Sequence, residues 1–313
     1  MNYDKYDHIV LAFSGGKDSL ACLLQLIEDG QAHKLTLLHH DIDGDSANLF
    51  DWPVTPAYVR AVAKHFNLPL VMSGREGGFE AELRKRESKS GAYYWYEEAS
   101  QNLIVSDFKG QPNTRRRMPA KTANLQTRWC SPFLKIDLGH KYLRAEFNNT
   151  SVLFVTGERR QESSNRAKYN EFETHRCNSK TRLVDHWRPV IDWKEEDVWA
   201  IIEKHGINPH PAYKLGWGRL SCMCCIFGSV DQWASIRQIA PTNFQTIADM
   251  EQDFEHTIDN KRSVTEMADK GAPYSDMSQA DIDQARSITY YSPITLDDWQ
   301  LPAGAFGESN GPS

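Results

Sequence analysis

The sequence predicts an α/β fold in which a parallel sheet is covered by helices on both faces. Short apolar segments, typical of buried strands, alternate along the chain with segments whose apolar residues have helical spacing. The strand candidates are residues 9–13, 35–38, 68–72 and 152–156, and the helix candidates include 19–28 and 56–66. Strands separated by helices pair in parallel, and such sheets bind ligands at the carboxyl ends of their strands.

The segment after the first predicted strand has the composition of a phosphate-binding loop. It consists of Ser14, Gly15, Gly16, Lys17, Asp18 and Ser19, and a predicted helix follows it. Glycines let the backbone turn tightly and present N–H groups to an anion, and the helix N-terminus adds positive potential. Lys17 and the two hydroxyls add donors. We therefore predict a nucleotide phosphate site here; the alternative is a glycine-rich turn without a ligand.

Acidic residues follow the second predicted strand, at the same edge of the sheet. Asp41 and Asp43 lie in the segment 39–45, directly after the strand candidate 35–38. Carboxylates in this place can hold ribose hydroxyls or a magnesium ion. The alternative is a polar loop in which an aspartate caps the backbone.

Composition and charge exclude several classes of protein. No segment approaches the roughly 18 apolar residues that a membrane-spanning helix needs, and residues 1–8 are too polar for a signal peptide. We therefore expect a cytoplasmic protein without membrane contact. The net charge of −6 disfavours a protein that coats nucleic acid, although a local basic face can still contact a phosphate backbone.

The chain divides into a larger part at residues 1–230 and a smaller, mostly helical part at 231–313 with an irregular tail from residue 290. We predict helices at 190–206, 231–239 and 243–258, and disorder in about the last ten residues. Residues 73–126 are rich in arginine and aromatic residues and are predicted to form an insertion or lid. Interleaved basic and aromatic residues suit a nucleic-acid surface, and a solvated charged face is the alternative.

Four further segments resemble, in order, the phosphoadenosine phosphosulfate reductase family. They are Arg128-Trp-Cys130 with Leu134-Lys135, the segment from Gly157 to Ala167, Arg188-Pro-Val-Ile-Asp-Trp193 with Asp197-Val-Trp199, and the segment around Cys222 and Cys225. The loop at 14–19 resembles that of the ATP pyrophosphatase (adenine nucleotide alpha hydrolase) superfamily, whose members cleave ATP between the α and β phosphates. The resemblance spans about residues 9–230 and implies a HUP-type domain that binds ATP and Mg²⁺.

The resemblance also suggests roles for the segment after the strand candidate 152–156. Gly157 would permit a close approach, Arg159 and Arg166 would offer forked donors to phosphates, and Glu162 would fix one of these arginines. Together with Lys17 and Asp18, the two arginines are the candidate catalytic residues, and Asp18 and Asp43 are candidates for orienting magnesium. A surface ion-pair cluster is the alternative for this segment.

Two departures from the family favour ATP over a sulfonucleotide. The sulfonucleotide reductases carry a modified phosphate loop and a nucleophilic cysteine near the C-terminus. Here the loop is of the intact pyrophosphatase type, and no cysteine follows Cys225 in the sequence. We therefore expect ATP cleavage rather than sulfate reduction.

The cysteines suggest a metal centre, because thiols in a cytosolic enzyme are more often ligands or catalytic groups than disulfides. Cys222 and Cys225 form a Cys-x-x-Cys pair, and Cys130 holds the family position expected close to it. Three thiolates suit an iron–sulfur cluster, with Cys177 or Cys224 as a fourth ligand. Structural zinc and a redox or persulfide-carrying pair are the alternatives. Cys22 is predicted to be a core residue.

The combination of an intact loop and a Cys-x-x-Cys pair most resembles the ATP pyrophosphatase subunit of bacterial DNA phosphorothioation systems of the Dnd or Ssp kind. This resemblance implies DNA as acceptor, bound through a local basic face, and a cysteine desulfurase and other modification subunits as partners. Three alternatives remain open: a phosphoadenosine or adenosine phosphosulfate reductase, a tRNA thiolation enzyme, and a non-catalytic nucleotide-sensing module.

Overall fold

A computed structural model describes residues 1–107, 109–122, 124–275 and 277–307, and its centre is one eight-stranded sheet. The strands are β1 (His8–Ala12), β2 (Leu35–His40), β3 (Leu70–Arg75), β4 (Tyr93–Glu97), β5 (Leu103–Ser106), β6 (Thr150–Val155), β7 (Phe172–Thr174) and β8 (Arg182–Trp187). Their spatial order is β5-β4-β3-β2-β1-β6-β8-β7. The five central strands are parallel, while β4, β5 and β7 are antiparallel to their neighbours.

The helices lie between and after these strands. They are α1 (Lys17–Glu28), α2 (Thr55–His65), α3 (Gly78–Arg84), α4 (Asp137–Glu146), α5 (Glu195–Lys204), α6 (Pro211–Lys214), α7 (Val230–Ile239), α8 (Pro241–Phe254), α9 (Val264–Lys270) and α10 (Gln279–Arg286). A π-helical segment, Pro132–Ile136, leads into α4. None of the helices in the described ranges is long and apolar enough to cross a membrane.

Strand β1 shows why the sheet is covered on both faces. Ile9 and Leu11 belong to the apolar cluster that contains α1, α2 and α5, whereas Val10 packs with α4 on the other face. All three side chains are fully buried. Because both faces are apolar, both must be covered, which confirms the predicted α/β class.

The order of the strands places a ligand crevice between β1 and β6. From β1 the chain adds β2 and β3 on one side, and then returns to add β6 and β8 on the other side. The loops that leave the carboxyl ends of β1 and β6 therefore diverge, which opens a crevice between them. The loop at 14–19 and the segment from Gly157 to Arg166 both start at this crevice.

The C-terminal helices build a third apolar cluster at one side of the crevice. Trp233 on α7 and Phe244 on α8 share this cluster with Phe50, Phe79 and Trp217 from earlier segments. Trp52 and Trp217 meet edge to face with ring centroids 4.9 Å apart. The shared cluster thus joins the C-terminal helices to the loop 42–54, which supplies Phe50 and Trp52.

Several boundaries differ from those predicted. Residues 73–126 include the end of β3, helix α3 and strands β4 and β5, so part of the expected insertion extends the sheet itself. The helix expected at 190–206 begins only at Glu195, after a turn that follows Pro189. The helix expected at 243–258 ends at Phe254, because Glu255 has a left-handed φ of 50°. Residues 290–307 contain no helix or named strand. Disorder is predicted for about the last ten residues, of which 308–313 lie outside the described residues.

Candidate functional site

A cavity of about 650 Å³ opens at the crevice between β1 and β6. Its wall includes the phosphate-loop residues Ser14, Gly16, Asp18 and Ser19. The ends of β2 and β6, the start of α4 and the segment 219–222 also contribute to the wall. Cavities of this size accommodate a nucleotide-sized ligand.

The phosphate loop turns as its glycines predict. Gly15 has a φ of +80°, and a Cβ there would lie 3.2 Å from both Tyr58 and Val59. Gly16 is the N-cap of α1, and its amide donates to Ser14 Oγ at 3.3 Å. The hydroxyls of Ser14 and Ser19 are 3.2 Å apart at the cavity wall. The loop therefore presents two hydroxyls and a helix N-terminus to the cavity.

Lys17 lies behind the cavity wall instead of lining it. Its side chain is 2% exposed, and its Nζ donates to the Gly218 carbonyl at 2.7 Å and lies 3.3 Å from Glu195 Oε1. Its amide donates to the Tyr213 hydroxyl, which also accepts from the Leu220 amide. Lys17 thus ties the phosphate loop to the segment that leads into the cysteines.

Burial opposes the charge of Lys17, yet the charges of Tyr213, Asp18 and Glu195 together raise its pKa above the ordinary value. The ammonium group is therefore kept charged inside the protein. A cation held behind the loop still contributes positive potential to it, because screening by water is weak at a buried site.

Four predicted residues meet in one network of ion pairs. Asp18 Oδ1 lies 2.5 Å from Arg159 Nε, and Arg159 is buried. Glu162 accepts the Arg159 amide at 2.8 Å and pairs with the Arg166 guanidinium. Asp18, Glu162 and Arg166 line the cavity, and Arg159 acts from behind them. The structure thus brings these four residues together, and Glu162 holds Arg166.

Gly157 is required by contact with helix α1. A Cβ at this position would lie 2.8 Å from the backbone carbon and oxygen of Asp18. Contacts this short with backbone atoms cannot be relieved by a side-chain rotation. Gly157 therefore permits the end of β6 to lie close to the start of α1. This contact sets the distance between Asp18 and Arg159.

The acids after β2 have different places. The Asp43 carboxylate accepts from the amides of Phe50 and Asp51, and Asp41 Oδ1 accepts from the Gly44 amide. Neither side chain lines the cavity, whereas Asp51 does. Burial raises the pKa of Asp43 and of Asp51 to about 7. Asp41 and Asp43 thus hold the backbone of the loop after β2. Asp51 lines the cavity instead, although no sequence motif indicated it.

Cys130, Cys222 and Cys225 lie close enough for their charges to interact. Burial, and then the charge of Cys225, raise the pKa of Cys130 to about 11. Burial also raises the pKa of Cys222, which lines the cavity, and the nearby Lys135 opposes this rise. Lys135 belongs to the π-helical segment, a feature frequent at functional sites. The set therefore offers a cavity-facing thiol beside a cation.

Of the remaining two candidate cysteines, Cys224 shares the apolar cluster against which Cys130, Cys222 and Cys225 pack, whereas Cys177 does not. Cys224 is buried in the apolar cluster of the C-terminal helices, and its amide donates to the Phe50 carbonyl. Cys177 is buried on the α4 side of the sheet, away from that cluster. Its neighbours are His140 and His175, and one ligand atom from each of these three residues lies within 4.8 Å of the others. Cys177 is therefore placed with two histidines, not with the other thiols.

Three histidines at this end of the cavity are uncharged at neutral pH. Burial lowers the pKa of His140 and His186 to about 4 and that of His175 to about 3. All three line the cavity. Sequence reasoning missed them because they come from α4, from the turn after β7 and from β8, with no spacing that marks a motif.

The region expected as a nucleic-acid face is largely engaged in internal contacts. Tyr93 and Trp95 are buried, so their rings are not exposed for stacking on bases. Arg115 pairs with Glu82, and Arg116 pairs with Asp253. Arg86, Lys89, Arg117 and Lys121 remain exposed. A DNA contact at this face stays a prediction that rests on these four side chains.

Fold and cavity define a nucleotide-binding α/β protein whose ligand site lies where the strand order reverses. The sequence model of the phosphoadenosine phosphosulfate reductase domain matches residues 8–227. The chain therefore belongs to the phosphoadenosine phosphosulfate reductase domain family. This confirms the family-level resemblance, while membership of a DNA phosphorothioation system stays a prediction.

Individual relatives match shorter parts of the chain. An uncharacterized 37.8 kDa protein of Escherichia phage 186 is 34% identical over 128 residues, 40% of this chain and 38% of that protein. An uncharacterized protein of Methanocaldococcus jannaschii is 23% identical over 218 residues, 69% of this chain and 36% of that protein. The adenosine 5'-phosphosulfate reductase of Burkholderia cepacia is 32% identical over 72 residues, 23% of this chain and 27% of that enzyme. Each alignment thus spans less than two-fifths of the relative's own length.

Proposed function

We propose that this protein is an ATP pyrophosphatase that adenylates an oxygen of a nucleic acid, which sulfur then displaces. The observation that carries the proposal is the intact Ser-Gly-Gly-Lys-Asp-Ser loop, which shares one cavity with the Cys222 thiol. The family membership supports nucleotide chemistry connected with sulfur. The acceptor, a DNA backbone oxygen, follows from the resemblance to phosphorothioation enzymes.

In the first step, an acceptor oxygen attacks the α phosphorus of ATP, and pyrophosphate leaves with the bridging oxygen. The loop amides and the hydroxyls of Ser14 and Ser19 bind the leaving pyrophosphate, and Arg166 neutralises charge on the transferring group. Asp18 and Asp51 are the cavity-lining carboxylates suited to Mg²⁺. Arg159 positions Asp18 from behind the wall.

In the second step, sulfur at the oxidation level of sulfide attacks the adenylated phosphorus, and AMP leaves with the acceptor's former oxygen. No net oxidation or reduction is needed for this displacement. Cys130, Cys222 and Cys225 would hold an iron–sulfur cluster, which when bound can carry sulfide. The charge of Cys225 contributes to the raised pKa of both Cys130 and Cys222, so the three thiols lie near one another. A cysteine desulfurase is the partner that would supply the sulfur.

An oxygen-isotope experiment tests the proposal directly. The protein is incubated with ATP, Mg²⁺, sulfide and a DNA duplex whose non-bridging phosphate oxygens are ¹⁸O, and the AMP is analysed by mass spectrometry. Acceptor adenylation predicts ¹⁸O in AMP together with one pyrophosphate per phosphorothioate. Simple hydrolysis in H₂¹⁶O gives only ¹⁶O in AMP and contradicts the proposal. An Asp18→Asn variant should lose the reaction, and Arg237→Ala, in the exposed pair with Asp269, should keep it.

Labelled tRNA replaces DNA in a parallel reaction, because the residues in the cavity do not distinguish between the two acceptors. If the label reaches AMP from tRNA but not from DNA, the proposed cleavage of ATP is supported and the proposed DNA acceptor is wrong. Mass spectrometry of digested DNA and tRNA from cells with and without the gene gives the same answer in vivo.

Reduction of adenosine 5'-phosphosulfate is the second candidate function. It is favoured by the relative in Burkholderia cepacia that carries that name. In that reaction two thiols are oxidised to a disulfide while sulfate is reduced to sulfite and AMP leaves. Sulfite release from adenosine 5'-phosphosulfate with reduced thioredoxin, without pyrophosphate release from ATP, would establish this function instead.

A further inference from the structure

We propose that His140, His175 and Cys177 form a zinc site in the wall of the cavity. One ligand atom from each residue lies within 4.8 Å of the other two. Zinc bonds of about 2.0–2.3 Å in a tetrahedron place ligand atoms roughly 3.5 Å apart, so the set closes around the ion with shifts of about 1 Å. Two imidazoles and a thiolate are a donor set that Zn²⁺ prefers.

The backbone already holds the three residues together. His175 and Cys177 lie in one turn after β7, where the Asn178 amide donates to the His175 carbonyl at 2.8 Å. Arg182 donates to the Cys177 carbonyl at 3.1 Å and also to the Phe147 carbonyl just after α4, the helix that carries His140. These two hydrogen bonds of Arg182 hold the turn against α4, so metal binding needs to order the three residues little further.

One imidazole of the set already contacts the backbone of Cys177. His175 Nδ1 accepts the amide N–H of Cys177 at 3.2 Å, so this nitrogen carries no proton. Its single lone pair is engaged in this hydrogen bond, so a metal bound through Nδ1 would replace the amide contact. The Cys177 thiol makes a weak contact with the His140 carbonyl at 3.9 Å, which binding would replace.

This site differs from a structural zinc site because it opens to the cavity. His140 and His175 line the cavity, while Cys177 lies beneath them and is 2% exposed. Three protein ligands leave a fourth tetrahedral position, which in catalytic sites holds water or a substrate atom. The site therefore offers a Lewis acid to a ligand bound in the same cavity as the phosphate loop, independently of the Cys130, Cys222 and Cys225 set.

Cobalt binding tests the site without any assumption about the activity. Apo-protein is titrated with Co²⁺, whose thiolate charge-transfer and ligand-field bands report a tetrahedral site with sulfur. Wild type should bind one more equivalent of Co²⁺ than Cys177→Ser, His175→Gln or His140→Gln. In each variant the affinity of this site for Co²⁺ should fall more than about tenfold. His186→Ala is the matched control, because His186 is adjacent to His175 but outside the set.

X-ray absorption of the zinc-loaded wild type needs no variant that could fail to fold. With Cys130, Cys222 and Cys225 blocked by prior alkylation under native conditions, one sulfur and two imidazole nitrogens are expected around zinc. Equal cobalt stoichiometry and spectra in wild type and Cys177→Ser would overturn the site. Loss of the bands in His186→Ala but not in His140→Gln would also overturn it. Each of these results leaves the isotope test of the proposed function unaffected.

Discussion

The phosphate-loop end and the histidine end of the cavity handle burial of polar groups in opposite ways. At the loop end side chains of opposite charge pair with one another, as Asp18 does with Arg159 and Glu162 with Arg166. At the other end His140 and His175 are kept neutral, because burial lowers the pKa of each far below 7. Paired charges suit an anionic ligand with its cation, whereas neutral nitrogen donors suit a transition metal.

The two ends also differ in how they are connected to the rest of the protein. Lys17 joins the loop to Gly218 and Glu195, so the loop is tied to the segment that leads to Cys222. The histidine end is instead fastened to α4 by Arg182. A substitution at one end should therefore leave the chemistry of the other end intact, and this independence can be measured.

Removing Arg159 should have the largest effect and should affect only the loop end. Arg159→Ala leaves Asp18 without its partner, so we expect pyrophosphate release from ATP to fall about 10²- to 10³-fold. Arg159→Lys keeps the charge but loses the directed Nε donor, and it should recover part of the rate if Arg159 positions Asp18. Pyrophosphate assays and cobalt titration of the same samples measure both ends. An equal loss in both measurements would mean general unfolding.

Gly157→Ala tests the contact that sets the spacing at the loop end. The new Cβ would meet the Asp18 backbone at 2.8 Å, so we expect a loss of about 1–3 kcal/mol in the free energy of unfolding. Gly139→Ala is the matched control, because its Cβ would find no atom closer than 3.6 Å. In helix α4 that control should be neutral or slightly stabilising. Similar urea midpoints for the two variants would show that the Gly157 contact is not tight.

His210 allows the effect of a buried neutral histidine to be measured away from both ends. Its Nδ1 accepts the Ala212 amide, and burial lowers its pKa from 6.5 to about 3. Between these pH values the unfolded chain binds more protons than the folded protein, so stability falls as pH drops below 6.5. At pH 5 this costs about 2 kcal/mol relative to pH 8.

His210→Asn keeps an acceptor for the Ala212 amide but cannot be protonated. Its loss of stability between pH 8 and pH 5 should be smaller than that of wild type by about 2 kcal/mol, measured by urea unfolding at each pH. Parallel curves for wild type and variant would show that His210 does not titrate between the two states.

Cys22→Ala should have the smallest effect, because this thiol belongs to neither end. Cys22 is fully buried on α1, and its sulfur makes one weak contact with the Thr156 carbonyl at 3.8 Å. We expect a loss of about 1 kcal/mol in unfolding free energy, with pyrophosphate release and bound metal unchanged. A change in metal content would place Cys22 among the ligands and would contradict its assignment to the core.

The loop end could be predicted closely from the sequence. Its glycines, its hydroxyls and the pair Arg159 and Glu162 lie in two short segments, each following an apolar strand. Because the ends of parallel strands share one edge of the sheet, local pattern and topology together brought these residues into one site. The orientation of Lys17 could not be predicted, because its partners Gly218 and Glu195 are about 200 and 180 residues away in the chain.

The histidine end could not be predicted in this way. Sequence reasoning grouped Cys177 with Cys130, Cys222 and Cys225 because all four residues offer a thiolate ligand. The structure places Cys177 beside His140 and His175 on the α4 side of the sheet. That position depends on the antiparallel pairing of β7 with β8, which turns residues 175–177 back toward α4.

The sequence by itself determined the α/β class and the family, since these depend on apolar periodicity and on contiguous motifs. Only the tertiary structure decided that Asp51 lines the cavity while Asp43 organises a loop, and that Cys177 lies with histidines. The physical reason is that the burial and the partners of a side chain depend on the residues around it in the folded protein. A side chain's charge, pKa and partners are fixed by residues that the chain brings together only when it folds.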